Sequence, residues 1–408
     1  MRAPLASGAP DMIYRTNPDL GAVAPPPIAE ARDWIRGRRF PAEKPLLDLS
    51  QAVPSYPPAA ELQAHIATLA RQAETSVYTD ILGLPALRTK LARRMSENYG
   101  AAIAAEAVGI TAGCNQAFCL AIAALARAGD EVLMPVPYYF NYQMWMEMQG
   151  LRPVHLPFDE AQGGLPDPDA AARLITPRTR AIVLVTPNNP TGAIYPPALI
   201  GAFHDLARRK EIALVLDETY RDFRAEEAPP HDLFRRANWT DVLVQLYSFS
   251  KVYSLTGYRV GSVIASPRFL EQLAKIMDCV AICAPHIGQA AAIFGLDHLD
   301  RWQREKCRLM EGRLAALRRI FTDNRLRYRL VSSGAYFAYL RHPFDGVPAA
   351  QVARRLADEE NVLALPGSMF GPGQDSYLRL AFANLDEEAM PALHQRLLAS
   401  QWRASGAA

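Results

Sequence analysis

The chain has 408 residues, of which 50% are hydrophobic and 21% charged, with 44 Lys+Arg against 42 Asp+Glu for a formal net charge of +2. That length suits two or three domains around a large core. So small a charge gives no field to draw the chain to nucleic acid or to an anionic membrane, and no apolar run reaches the roughly 18–20 residues that span a bilayer.

The N-terminal stretch "MRAPLASGAPDMIYRTNPDLGAVAPPP" has no continuous apolar segment of the kind a secretory signal needs, and it reads as a mobile arm stiffened by Pro25, Pro26 and Pro27. From about Glu61 to Pro285, short apolar runs alternate with helical patterns: "DEVLMPVP", "AIVLVTP", "IALVLDE", "DVLVQLYS" and "GSVIAS" are of strand length, and "PPALIGAFHDLARRK" is periodic like a helix. Continuous apolar strands between helices predict a mostly parallel sheet covered on both faces. The five cysteines, an odd number without framework spacing, point to a reducing cytoplasm. Cys279 and Cys283 stand one helical turn apart, but no second pair or histidine cluster completes a zinc site, so they read as buried structural thiols and no metal is expected. Beyond Asp300 come a long amphipathic helix, "GAYFAYL", a helix in "PAAQVARRLADEEN" and "YLRLAFAN", the makings of a smaller α+β domain. The expected division is 1–58 for the arm and part of the small domain, 59–290 for the large domain, and 291–408 for the rest of the small one.

In an open α/β sheet, ligands sit beyond the carboxyl ends of the strands. Three successive runs end in Asn188 and Asn189, in Asp217 with Tyr220 three residues on, and in Ser248, Ser250 and Lys251. A fourth feature, "ITAGCNQAF", places Gly113, Cys114 and Asn115 at the start of a helix, where free N–H groups and the macrodipole favour a phosphate. Pyridoxal phosphate needs a lysine for its aldehyde, a carboxylate for its ring nitrogen, donors for its phenolate oxygen and a phosphate cradle. Lys251, Asp217, Asn189 with Tyr220, and the Gly113–Asn115 turn with Ser248 and Arg259 supply all four.

The set, with "YTDILGLPALR", "TAGCNQA", "TPNNPTG", "VLDETYRDF", "SFSKVYSLTGYRVG" and "YLRLAFA" in that order, resembles the class I/II aminotransferases of pyridoxal-phosphate fold type I. The resemblance runs from about Leu46 to the last helix. It implies a seven-stranded-type, mostly parallel sheet in the large domain, an internal aldimine on Lys251, ping-pong transfer from an L-amino acid to a 2-oxo acid, and a cytoplasmic homodimer with shared active sites. It implies that Lys251 is also the acid/base, that Asp217 holds the ring nitrogen, and that Asn189 and Tyr220 face the phenolate oxygen. Gly113, Cys114, Asn115, Ser248 and Arg259 are implied to bind the phosphate. Tyr139, with Tyr138 beside it as the alternative, is implied to stack on the ring, Tyr78 to reach the other subunit's phosphate, and Arg379 to clamp the substrate α-carboxylate with Asn189 and Ala52 nearby.

Two departures stand out. Many relatives carry a glycine-containing "GEP" where this chain has "SQAVPSYPP", so Ala52 or Val53 narrows the carboxylate site. No motif selects an arginine for a second substrate carboxylate, Arg15 in the arm being one candidate, so aspartate is not supported as substrate. The same scaffold also carries C–S lyases, cyclopropane-forming synthases and oxidases. A transcription regulator is disfavoured, because only about 50 residues precede the first family-like segment and they lack a basic helix-turn-helix pattern.

Overall fold

The computed structural model describes residues 14–225 and 228–403. Its strands, in chain order, are β1 (Leu47–Asp48), β2 (Val108–Thr111), β3 (Glu131–Pro135), β4 (Arg152–Leu156), β5 (Thr179–Val185), β6 (Ala213–Asp217) and β7 (Leu243–Ser248). They continue with β8 (Gly261–Ile264), β9 (Arg329–Gly334), β10 (Phe337–Arg341), β11 (Val362–Leu363), β12 (Leu365–Pro366) and β13 (Tyr377–Leu380).

Seven strands form one sheet in the order β2-β8-β7-β6-β5-β3-β4. All neighbours are parallel except β8, which runs antiparallel to both β2 and β7. The central strands read as continuous apolar runs because helices cover both faces: every residue of β7 is buried, and every residue of β6 beyond Ala213. Helix Pro197–Arg209 follows β5, with proline where no backbone donor is missed, and buries Ile200, Phe203 and Leu206. One apolar cluster runs through this part of the chain from Ala59 to Leu299. Five of the seven strands are legible as apolar runs. β2 and β4 are not: Gly109 and Thr111 interrupt the apolar run of β2, and β4 has one exposed residue and three half-buried ones.

A second core lies C-terminal. The antiparallel sheet β12-β13-β10-β9 packs with helices Asp300–Ile320, Ala349–Glu360 and Met390–Arg403 around Leu317, Leu340, Val352, Leu356, Leu378, Leu393 and Leu397. Leu47 and Leu49 belong to this cluster, because β1 pairs in parallel with β11, Leu47 opposite Val362. Arg396 fastens the pairing from the last helix, donating to the carbonyls of Pro45 at 2.6 Å and Asn361 at 3.1 Å.

The arm is more structured than the prolines suggest. Pro27 starts a helix, Pro27–Asp33, whose fully buried Ala31 packs with Phe140, Leu363, Leu365 and Phe370; the expectation of a mobile arm fails there, and residues 1–13 lie outside the described residues. Cys279 also departs from expectation. It is exposed near the end of helix Pro267–Ala281, on the face turned from Leu270, Leu273 and Met277. Among the described residues no helix is long and apolar enough to cross a membrane.

Candidate active site

The carboxyl ends of β5, β6 and β7 open onto a cavity of about 250 Å³, with Asn189, Asp217, Ser248 and Lys251 in its lining. The "NNPTG" turn after β5 separates its two asparagines. Asn188 turns inward, its Oδ1 accepting from Thr191 N at 3.0 Å and Thr191 Oγ1 at 2.9 Å, so it shapes the turn. Asn189 faces the cavity.

Asp217 ends β6 and is buried. Its Oδ1 accepts from Thr219 N (2.9 Å), Thr219 Oγ1 (2.7 Å) and Cys114 Sγ (3.4 Å), and its Oδ2 from Tyr142 Oη (2.6 Å). Burial nonetheless lifts the carboxyl above its ordinary range, against the pull of these donors. Among the described residues no cation stands within ion-pair distance of it. Tyr220 is buried beside it, packed edge-on to Phe337 at 5.1 Å, and burial raises its phenol well above the usual value.

Ser248 caps the one-turn helix Phe249–Val252 by accepting from Ser250 N at 3.1 Å, and this turn presents Lys251. The amine donates to Ala52 O at 2.5 Å and lies 5.9 Å from the Tyr220 ring centre. Burial first, then the charges of Arg259 and Arg379, bring its pKa down to about 8. Arg259 sits in the left-handed region (φ 50°) and donates to the carbonyls of Thr256 at 3.0 Å and Ala112 at 3.3 Å. It crosses Gly113 (φ 83°) at the N-terminus of helix Cys114–Leu125, and a Cβ on that glycine would strike its guanidinium. No side chain caps this helix, and its first residues, Cys114 and Asn115, line the cavity together with Arg259 and Ser248.

Arg379, on β13, enters from the small sheet and is 2% exposed. Its guanidinium lies between the rings of Phe337 (5.2 Å) and Phe370 (5.1 Å) and donates to Asn189 Oδ1 at 3.4 Å and to Ser50 O. Its Nε has no partner, and no carboxylate among the described residues pairs with it. Burial lowers its pKa to about 10, so it stays charged at neutral pH.

The remaining expected residues divide. Tyr139 lines the cavity, whereas Tyr138 stacks on His155 at 5.2 Å outside it. Ala52 is in the lining, and Val53 N–H is taken by Asn384 Oδ1 at 3.2 Å. Tyr78 is 73% exposed and does not line this chain's cavity. Arg15, the arm's candidate cation, is exposed and does not line the cavity either. Sequence reasoning missed Tyr142, Thr219, Ile28 and Phe140. Thr219, two residues beyond Asp217 in the same turn, was open to inference; Tyr142 reaches Asp217 from helix Phe140–Met148, which no local signal brings to β6.

A family model for aminotransferases of class I and II matches residues 44–397. The chain belongs to that family. An aspartate aminotransferase of Pyrococcus horikoshii is 29% identical over 321 residues, 78% of this chain and 81% of that protein. An arginine–pyruvate transaminase of Pseudomonas aeruginosa is 31% identical over 339 residues, 82% of this chain and 85% of that one. Among solved structures, an aspartate aminotransferase of Thermus thermophilus with maleate superposes with a TM-score of 0.85 over 95% of this chain and all of that one; at 24% identity it bears on the fold alone. These relatives are transaminases, and none points to the lyase, synthase or oxidase alternatives. The aminotransferase family's cofactor is pyridoxal phosphate, and the cavity fits it. A helix start beside Arg259 and Ser248 suits a phosphate, and the same cavity holds a buried carboxylate that lacks a cation, a lysine of lowered pKa and a buried guanidinium that lacks an anion among the described residues.

Proposed function

We propose that this aminotransferase moves the amino group of an L-amino acid to a 2-oxo acid, using pyridoxal 5'-phosphate held in this cavity. The observation that carries the reading is a pair of buried groups of opposite sign, Asp217 and Arg379, neither ion-paired among the described residues, lining one cavity with Lys251. Isolated buried charges cost several kcal/mol each, so both are groups awaiting a ligand: a pyridinium for one, a carboxylate for the other.

Bound there, pyridoxal phosphate supplies an aldehyde that condenses with amines and a ring that draws electrons from the substrate α-carbon. Lys251 would hold it covalently, Asp217 its ring nitrogen, and Asn189 and Tyr220 its phenolate oxygen, with Tyr139 against the ring. Arg259, Ser248 and the Gly113–Asn115 turn would hold its phosphate. Arg379 grips the α-carboxylate through the two-pronged geometry that a guanidinium offers, and this orients the α-C–H bond toward the Lys251 side of the cavity. With its pKa near 8, the Lys251 amine can take that proton and return it at neutral pH. Over a full cycle an amino group and an oxo oxygen change places between two α-carbons, so no outside oxidant or reductant is needed.

The reading includes a cytoplasmic homodimer with shared sites and the 1–58, 59–290 and 291–408 division. Support for the dimer comes from an exposed apolar patch. Val77 (60% exposed) and Tyr78 adjoin Thr79, whose N–H meets Cys283 Sγ at 3.4 Å, next to exposed Ile282 and Val280.

Borohydride treatment followed by peptide mapping tests the cofactor assignment, and the pyridoxyl label is expected on the Lys251 peptide. Label on any other lysine would overturn it. An amino acid added without a 2-oxo acid should leave stoichiometric pyridoxamine phosphate, which a lyase or oxidase would not.

A further inference from the structure

After β4, at the edge of the large sheet, the chain sends one loop, residues 157–167, onto the small sheet. The loop is built to hold its shape. Asp159 Oδ1 caps the turn Glu160–Gln162 by accepting from Ala161 N at 2.9 Å, Gly163 and Gly164 (φ 62° and 80°) reverse the chain, and a Cβ on Gly164 would strike the ring of Phe158. It presents one carboxylate, Glu160, and one ring, Phe158.

The face they meet is the one that carries Arg379. Alternate residues of a strand share a face, so Tyr377 goes with Arg379 on β13, and their partners across β10 are Arg341 and Tyr339. Glu160 Oε2 accepts from Tyr377 Oη at 2.7 Å and from Arg341 Nη1 at 2.8 Å, and its Oε1 accepts from Arg329 on β9. Three strands of the small sheet thus each give a donor to one carboxylate. Burial pushes that carboxyl up, but Tyr377, Arg341 and Arg329 hold it below its ordinary value. Phe158 stands edge-on to Tyr377 at 5.3 Å and to Tyr339 at 6.0 Å, and those two rings stack at 5.2 Å.

The other end of β10 is held as well. A Cβ on Gly334, just before that strand, would lie 2.4 Å from Gly192 O, so the β9–β10 turn and the "NNPTG" turn touch backbone to backbone. Tyr339, across from Arg379, is the middle residue of β10. The guanidinium therefore sits between two attachments to the large sheet, and two attachments resist a rotation that one would allow.

We infer that Glu160 is a positioning residue for the substrate: by docking β9, β10 and β13 onto the loop after β4, it fixes where Arg379 stands relative to Lys251, although it does not itself line the cavity. Its loss weakens substrate binding and leaves the cofactor, held from the large sheet, in place. The inference rests on the reading of Arg379 as the carboxylate clamp.

Glu160→Gln keeps the size and loses the charge. In the apoprotein, hydrogen exchange of residues 157–164 should quicken, and pyridoxal phosphate should bind as it does to wild type. KM for the L-amino acid that wild type transaminates fastest should rise about tenfold, with kcat changed less than about twofold. Binding of unreactive 2-methylalanine to the loaded protein, followed by absorbance, should weaken by the same factor. Tyr377→Phe removes a single hydroxyl and should move both quantities the same way, about threefold. Glu160→Gln combined with Arg341→Gln should be little worse than Glu160→Gln alone, since both break one contact. Exchange as slow as in wild type would overturn the docking. Faster exchange or a lower melting temperature, with 2-methylalanine bound as in wild type, would overturn the positioning role and leave a contact that serves stability alone. If wild type transaminates no amino acid, the transaminase reading falls, and the 2-methylalanine affinities still decide whether Glu160 places Arg379.

Discussion

Asp217 and Glu218 are consecutive buried acids at the end of β6, and the two faces of that strand treat them oppositely. Glu218, outside the cavity lining, has a cation partner: its Oε2 accepts from Tyr99 Oη at 2.5 Å and Gln245 Nε2 at 2.8 Å, and lies 3.4 Å from His231 Nε2. Burial pushes its pKa up, but His231, Tyr99 and Arg221 hold it below the ordinary value. Asp217 has as many donors but no cation, and burial wins. Two buried arginines repeat the contrast in the small domain. Arg313 has Asp386, Ser55 and the Ala383 carbonyl, while Arg379 has only neutral acceptors. A charge with an opposite charge beside it serves the fold. One without it, on the reading above, is left for a ligand.

The comparison can be broken most forcefully at β6. Asp217→Asn removes one member of an ion pair that forms only with cofactor, a loss of about 3–5 kcal/mol if it all enters the barrier, so turnover should fall on the order of 10²–10⁴-fold. The apoprotein should unfold no earlier than wild type. Glu218→Gln should do the reverse, costing about 1–3 kcal/mol of stability while kcat of the folded fraction changes little. Thermal midpoints and single-turnover rates on both variants decide it, and equal behaviour of the two would dissolve the distinction.

The arginines come next. Arg379→Lys keeps the charge and loses the fork, so kcat/KM should drop about 10–100-fold for every amino acid, with the melting temperature near wild type. Arg313→Lys should lower the melting temperature and spare the kinetics. A normal half-reaction rate in the Arg379 variant would end its assignment as the clamp.

A smaller effect follows from Lys251. Its folded pKa lies below the unfolded value, so between pH about 8 and 10.5 the unfolded chain holds the extra proton, and this site contributes stability to the apoprotein that grows as pH rises through that window. The same shift sets reactivity. From pH 7 to 9 the neutral amine rises from roughly a tenth to roughly nine tenths, so uptake of pyridoxal phosphate by the apoprotein, followed by absorbance, should accelerate about tenfold. A flat profile would remove the shifted amine from the account. Tyr142→Phe should have the smallest effect, about threefold in kcat, since Thr219 and Cys114 still hold Asp217; one hydrogen bond of about 1 kcal/mol sets that scale.

That Asn189, Asp217 and Lys251 share one cavity was legible because they stand where apolar runs stop, at the ends of three strands that a parallel sheet aligns. The substrate half was less so. Arg379 was assigned by resemblance, but Ile28 and Phe140 meet it only through the packing of a short helix, two aromatic rings and β12, contacts between segments far apart in the chain. Tyr138 and Tyr139, adjacent and alike, could be told apart only once their rings were seen to point into different surroundings. Cys279 read as buried because thiols usually are, and helix periodicity turned it outward.

The small domain's fastening reaches further than its core. Arg396 holds the carbonyls of Pro45 and Asn361, and so the entry of both strands of the β1–β11 pair. A few residues beyond β1 come Gln51, Ala52 and Val53 in the cavity lining, with Arg379 in the adjoining sheet, whereas Asp217 ends β6 and Lys251 follows β7 in the large sheet. Arg379 and the segment after β1 thus approach the cavity from the side of the small sheet, and Lys251 and Asp217 from the large one. A rotation between the two sheets would change the distance between Arg379 and Lys251. A cut or truncation in the last helix, which touches neither ligand, should register first as poorer substrate binding with the cofactor still in place.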